Sequence, residues 1–154
     1  MNLYCMRLTL SLLLLLASQS SASESLKFGA FEVHYTVVNS TFVDPDVAAH
    51  YQIIRARDRA FVNLAVREQL ADGSDRAVTA KIEGRTWDLF QNQFLEFRQV
   101  REGEAIYYIA DFKFSDGEVR FFDIAVLPAG AQRSKQIKFQ HKVYIELEAE
   151  LDAE

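Results

Sequence analysis

The sequence predicts an all-β protein: an immunoglobulin-like antiparallel β-sandwich with one short helix near residues 45-50. Three observations lead there. Apolar residues recur with a period of two along most of the chain. Gly-, Asp- and Ser-bearing turn signals separate the runs at short intervals. No long amphipathic helical stripe interrupts them, and seven or eight short strands of this kind pack as two sheets. A closed barrel is the alternative, because alternation alone does not say how the sheet edges are managed.

The N-terminus precedes the fold. "MNLYCMRLTLSLLLLLASQSSASE" carries one basic residue, Arg7, then a leucine-rich run from Leu8 to Ala17 and small polar residues to Ala22. Ser20 and Ala22 provide the small side chains that signal peptidase requires, so residues 1-22 are expected to be a cleaved signal peptide. The apolar run is about half the length of a spanning helix, and the mature chain is expected to contain no membrane span. Cys5, the single cysteine, falls within the removed segment. Residues 23-146 then form one domain without disulfides, followed by an acidic tail at 147-154. The expected compartment is the periplasm. Net charge is -5 before cleavage, an acidic excess that argues against nucleic acid or an anionic membrane surface as partner.

Along the domain, Phe31, Val33, Tyr35 and Val37 share one strand face. Asn39 to Tyr51, "NSTFVDPDVAAHY", breaks the pattern. Asp44 suits an N-cap, Pro45 the first helical position and Asp46 the positive helix end, so a short helix is expected to carry the chain from one sheet to the other. Val47, Ala48 and Tyr51 would hold it down. Val62, Leu64 and Val66 align next, and "ADGSD" around Gly73 is a turn. Val78, Ala80 and Ile82 form a run ending at Gly84. The segment "QFLEFRQVREGEAIYYIADFKFSDGEVRFFDIAVLPAG" reads as strands joined by hairpins at Glu102-Gly103 and at Ser115 to Glu118. Ile106, Tyr108, Ala110, Phe112 and Phe114 form one face, and Phe122, Ile124 and Val126 another. A last strand stacks Ile137, Phe139, His141, Val143 and Ile145. Twelve phenylalanines and six tyrosines are a sufficient core supply without any ligand to justify them.

Chemistry-bearing patterns are sparse. The three histidines, His34, His50 and His141, have no metal-motif spacing, so no metal and no cofactor are expected. No nucleophile elbow or phosphate-binding glycine loop occurs, and no catalytic residue is assigned. His34 reads as a surface or sheet-edge residue, His50 as a helix-end residue and a candidate ligand or partner contact, and His141 as a core or rim residue. "RARDR" is the one dense basic patch, with Arg55 and Arg57 as anion or partner contacts or as guards of a strand edge. Trp87, the single tryptophan, is expected between the sheets; at the surface it would be an interface anchor.

Several of these residues carry a resemblance. Val33-His34-Tyr35, Asn39-Ser40-Thr41-Phe42, Pro45, Tyr51 with Ile53, Arg55, Val62-Asn63, and Arg101-Glu102-Gly103 with Ile106-Tyr107-Tyr108 resemble an uncharacterised family of small periplasmic proteins of Gram-negative bacteria, a domain of unknown function. The similarity runs from about Phe28 to Tyr144. It implies an exported single β-sandwich domain and brings no catalytic residues. Where the resemblance implies an asparagine-containing turn after Gly84, this chain has Arg85-Thr86-Trp87-Asp88.

The expected function is therefore that of an exported, non-enzymatic protein that binds or supports a periplasmic protein or envelope component. A small-ligand binder, contacting its ligand through Tyr107, Tyr108 and Trp87, is the alternative. A hydrolase would need one of the histidines to meet a nucleophile or carboxylate in a cleft.

Overall fold

The computed structural model describes residues 24–146, so the expected signal peptide (1-22) and acidic tail (147-154) lie outside the described residues. Period-two patterning becomes ten strands: β1 (Glu24–Phe28), β2 (Phe31–Asn39), β3 (Arg59–Gln69), β4 (Asp75–Ala77), β5 (Ala80–Trp87), β6 (Asn92–Leu95), β7 (Arg98–Glu102), β8 (Ala105–Lys113), β9 (Val119–Pro128) and β10 (Lys135–Lys142). They form an antiparallel sandwich. The first sheet runs β1-β2-β3-β8-β7, with β4 paired to one end of β3, and the second runs β10-β9-β5-β6.

The core lies where the apolar faces meet. Val33, Val62, Leu64, Val66, Ala110 and Phe112 from the first sheet face Phe122, Ile124, Val126 and Ile137 from the second, all at 2% exposure or less. Phe122 joins the layers, edge-on to Phe112 at 5.4 Å and stacked on Phe139 at 4.6 Å. Each fully buried side chain of this size contributes roughly 1.5–3 kcal/mol. Tyr108 adds a polar tie between the sheets: its hydroxyl accepts the Ala80 N–H at 2.7 Å and donates to Gln99 Oε1 at 3.1 Å.

Five features differ from the sequence-based expectation, each because pairing partners are chosen by distant residues. Ser115 to Glu118 is not a hairpin: β8 pairs with β3 and β7, while β9 pairs with β10 and β5, so this turn carries the chain between sheets. "QFLEFRQV" is not one strand. It divides at Glu96–Phe97 into β6 of the second sheet and β7 of the first. The strand expected to end at Gly84 continues to Trp87, and β1, not foreseen, borders the first sheet with Leu26 and Phe28 against the core.

The fifth concerns α1 (Pro45–His50). Asp44 does cap it, with Oδ1 accepting the Asp46 N–H at 2.9 Å and the Val47 N–H at 3.4 Å. Yet the helix joins β2 to β3, neighbours in one sheet, and does not cross between sheets. It covers the outer face of the first sheet, where Ala48 and Ile53 pack with Phe61 and Ile109 in a second, smaller core; Val47 faces out. Arg98 fastens the helix end through Tyr51 O and Gln52 O, both at 3.3 Å, and pairs with Asp111 at 2.8 Å.

Candidate functional site

Among the described residues no element covers the outer face of the second sheet, and one corner of that face is apolar. β5 and β6 form a hairpin whose tip is Asp88 to Gln91. Asp88 builds the tip. Its Oδ1 accepts the N–H groups of Phe90 (2.6 Å) and Gln91 (2.5 Å), and its own N–H donates to Gln91 O at 3.0 Å. Those backbone donors, Gln91 first and Phe90 second, hold its carboxyl below the usual range, with Arg120 adding to the effect. With the turn satisfied internally, Leu89 and Phe90 point into solvent at 86% and 91% exposure. Phe94, opposite Arg85 on the outer face, is 78% exposed.

Behind the tip lies a buried cation. Arg120 is 2% exposed because it occupies the same inward register of β9 as Phe122, Ile124 and Val126. Its Nη1 donates to Glu118 Oε1 at 2.8 Å and Asp88 Oδ2 at 3.4 Å, its Nε donates to Thr86 Oγ1 at 3.2 Å, and its guanidinium lies over the Phe112 ring at 5.8 Å. Nη2 is buried with no hydrogen-bond partner. An arginine taken from water is tolerable only with such partners. One oxygen of Asp88 thus shapes the tip while the other is anchored in the core, so Leu89 and Phe90 are presented on a fixed support.

Next to the tip, Trp87 stacks on Phe121 at 5.8 Å and carries the Arg85 guanidinium at 5.1 Å. It is half-buried on the outer face, not between the sheets; the inward position belongs to its neighbour Thr86. At the other end of β6 an open hollow of about 590 Å³ is lined by Ile82, Gly84, Phe94, Leu95 and Phe97, among others. Gly84 forms part of its floor. A Cβ there would meet Ile124 Cγ1 at 3.0 Å and Phe97 Cε2 at 3.3 Å.

Of the residues singled out in the sequence, Trp87 belongs to this corner. His50 sits at the end of α1 with its ring edge-on to Tyr51 at 4.7 Å. Arg55 donates to Thr41 O (3.1 Å) and Arg57 to Glu146 O (3.2 Å), both on the β2–β3 connection. Tyr108 is the inter-sheet tie, and Tyr107 is half-buried on the opposite face of β8. His34 lies 3.9 Å from Glu32, and His141 is on β10, its pKa lowered by desolvation. Among the described residues no three His, Cys, Asp or Glu side chains come together as a metal site, and no helix is long and apolar enough to cross a membrane. Sequence reasoning missed Arg120, Leu89, Phe90 and Phe94. The available signals were the parity of Arg120 with Phe122 and an apolar pair inside a turn that opens on aspartate.

Fold and surface define an all-β sandwich with an aromatic edge. Residues 25–146 match the Domain of unknown function (DUF4426), and the chain belongs to that family. A crystal structure of a DUF4426 family protein from Pseudomonas aeruginosa PAO1 is 31% identical, with a TM-score of 0.70 over 81% of this chain and 97% of that one. FetP of uropathogenic Escherichia coli strain F11 shares the fold at 11% identity, with a TM-score of 0.56 over 80% of this chain and 94% of that one. A copper-bound variant of FetP is 9% identical, with a TM-score of 0.56 over 86% and 97%. No curated protein matches the chain.

Proposed function

We propose that this is an exported, non-enzymatic protein of the periplasm that binds another polypeptide through the β5–β6 edge. Cleavage after Ala22 would leave the single domain at 23-146 with its acidic tail. The N-terminal pattern and membership in a family with a Pseudomonas member support the compartment. The observation that carries the binding reading is the exposed cluster of Leu89, Phe90 and Phe94 on a hairpin fixed by Asp88 and Arg120. Three large apolar side chains held in water at one corner, beside a tryptophan, have the character of an interaction surface and not of a packed monomer surface.

Copper, bound by the FetP variant, does not fit these residues: no three potential donors converge among those described. A small ligand is also the weaker reading, because Tyr107 and Tyr108 line neither open hollow of the second sheet. The test is site-directed photo-crosslinking in intact cells, with the reactive side chain at position 90 or 94 and, as control, at exposed Arg133. Discrete adducts from 90 and 94 but not from 133 are expected. Equal, background labelling at all three positions would remove the proposal.

A further inference from the structure

We propose that the polypeptide bound at this edge is a second copy of the chain, joined by antiparallel pairing of the two β6 strands across a two-fold axis near Gln93. This rests on the binding reading above and names its partner.

The first argument is the lack of protection at this edge. Among the described residues five strands have a free edge: β1, β4 and β7 in the first sheet, β10 and β6 in the second. Four carry charges that discourage pairing, in "ESLKF", "DRA", "RQVRE" and "KQIKFQHK". β6, "NQFL", has neither charge nor proline. Two copies of this strand can approach with no charged side chain to desolvate, whereas every other free edge brings charged side chains to the seam.

The second argument is self-complementary shape. The knob, Leu89–Phe90, precedes β6, and the hollow of about 590 Å³ lies beside its C-terminal residues Phe94 and Leu95. The two are separated by about five residues, or roughly 17 Å of strand. A two-fold axis through the middle of an antiparallel pair reverses the strand direction and keeps the outer faces on one side. Centred on Gln93, it sets Phe90 of each copy opposite Glu96 of the other, at the rim of the hollow, whose lining mixes Ile82, Leu95 and Phe97 with the charged Glu83, Arg85 and Asp123. Each knob meets a hole, twice, as an isologous contact requires. Asn92 then faces Phe94 of the second copy, covering the third exposed ring.

The area is adequate for a reversible dimer. Side chains of this size bury about 150–200 Å² each. At 78–91% exposure, complete burial of the three from each copy would supply roughly 750–1,000 Å², to which paired strand backbone adds, against the ~1,000 Å² expected of a specific contact. Such a dimer is concentration-dependent, and the paired second sheets form one eight-stranded layer.

Sedimentation velocity of the purified exported chain, across low to high micromolar concentration, provides the test. A reversible monomer–dimer equilibrium is expected. Phe94→Lys, which guards the edge, and Phe90→Ser, which removes the knob, should each weaken dimerisation at least tenfold. Both residues are exposed, so circular dichroism and melting temperature should match the parent and separate lost association from lost folding. A parent that stays monomeric throughout, or a dimer unaffected by both substitutions, overturns the proposal. If the parent is monomeric while positions 90 and 94 crosslink a different polypeptide in cells, the second-copy assignment fails and the binding reading stands. A monomer with no adduct defeats both.

Discussion

Replacing Arg120 by methionine tests whether the tip is anchored in the core. The substitution keeps most of the volume and removes the charge that Glu118 and Asp88 face at 2.8 and 3.4 Å. Those carboxylates are only 12% and 15% exposed, so both are left poorly solvated and without their cation. Removing one member of a buried pair typically costs 3–5 kcal/mol. Because the remaining carboxylates keep some solvent contact, and Asp88 keeps its backbone donors, a loss of about 3 kcal/mol is expected. Urea unfolding at neutral pH measures it, followed in parallel by far-UV circular dichroism and by the fluorescence of Trp87, the single tryptophan. A loss of that size lowers the melting temperature by roughly 10–15 °C in a domain of this length. The double variant Arg120→Met/Glu118→Gln should recover part of it, since the stranded charge is gone. A single variant within about 0.5 kcal/mol of the parent, or no recovery in the double variant, would refute the reasoning.

Ser40 is 1% exposed, and its hydroxyl both accepts the Ala56 N–H and donates to the Ala56 carbonyl, each at 3.0 Å. Ser40→Ala should therefore cost about 1–3 kcal/mol by the same unfolding measurement, by stranding two backbone groups. Gly84→Val should cost about 1–3 kcal/mol by overpacking against Ile124 and Phe97, seen as a lower denaturation midpoint with native far-UV dichroism. The pH dependence follows from Asp88, whose folded pKa is lowered mainly by the Gln91 and Phe90 N–H groups. Folding favours its charged form, so its contribution is complete above the unfolded value of about 3.9 and drains as pH falls through the folded value. Asp88→Asn keeps the Oδ1 acceptor and should flatten the acid limb of a stability-against-pH curve below about pH 4.

Much of the fold was legible because strand faces are a local property. Val33, Leu64, Phe112 and Ile124 all lie on the faces their alternation indicates. The α1 cap was legible for the same reason, since Asp44 acts on amides two and three residues away. Strand partnership is not local. Whether Ser115–Glu118 turns back into its own sheet or passes to the other depends on where β3, β5 and β10 lie, and no residue within the turn encodes that. The apolar corner was half legible: Trp87 was marked as an anchor if exposed, but its face depended on β5 continuing past Gly84.

The sequence by itself determined an alternating, disulfide-free β domain, its inward and outward faces and its single capped helix, because backbone sterics and neighbouring side chains decide these over a few residues. Tertiary structure alone decided that Arg120 would stand behind Asp88, that "NQFL" would become an unprotected edge, and that the Leu89–Phe90 tip and the hollow at Phe97 would lie at its two ends. Those relations join residues on different strands, and only the closing of two sheets around one core fixes the distances between them.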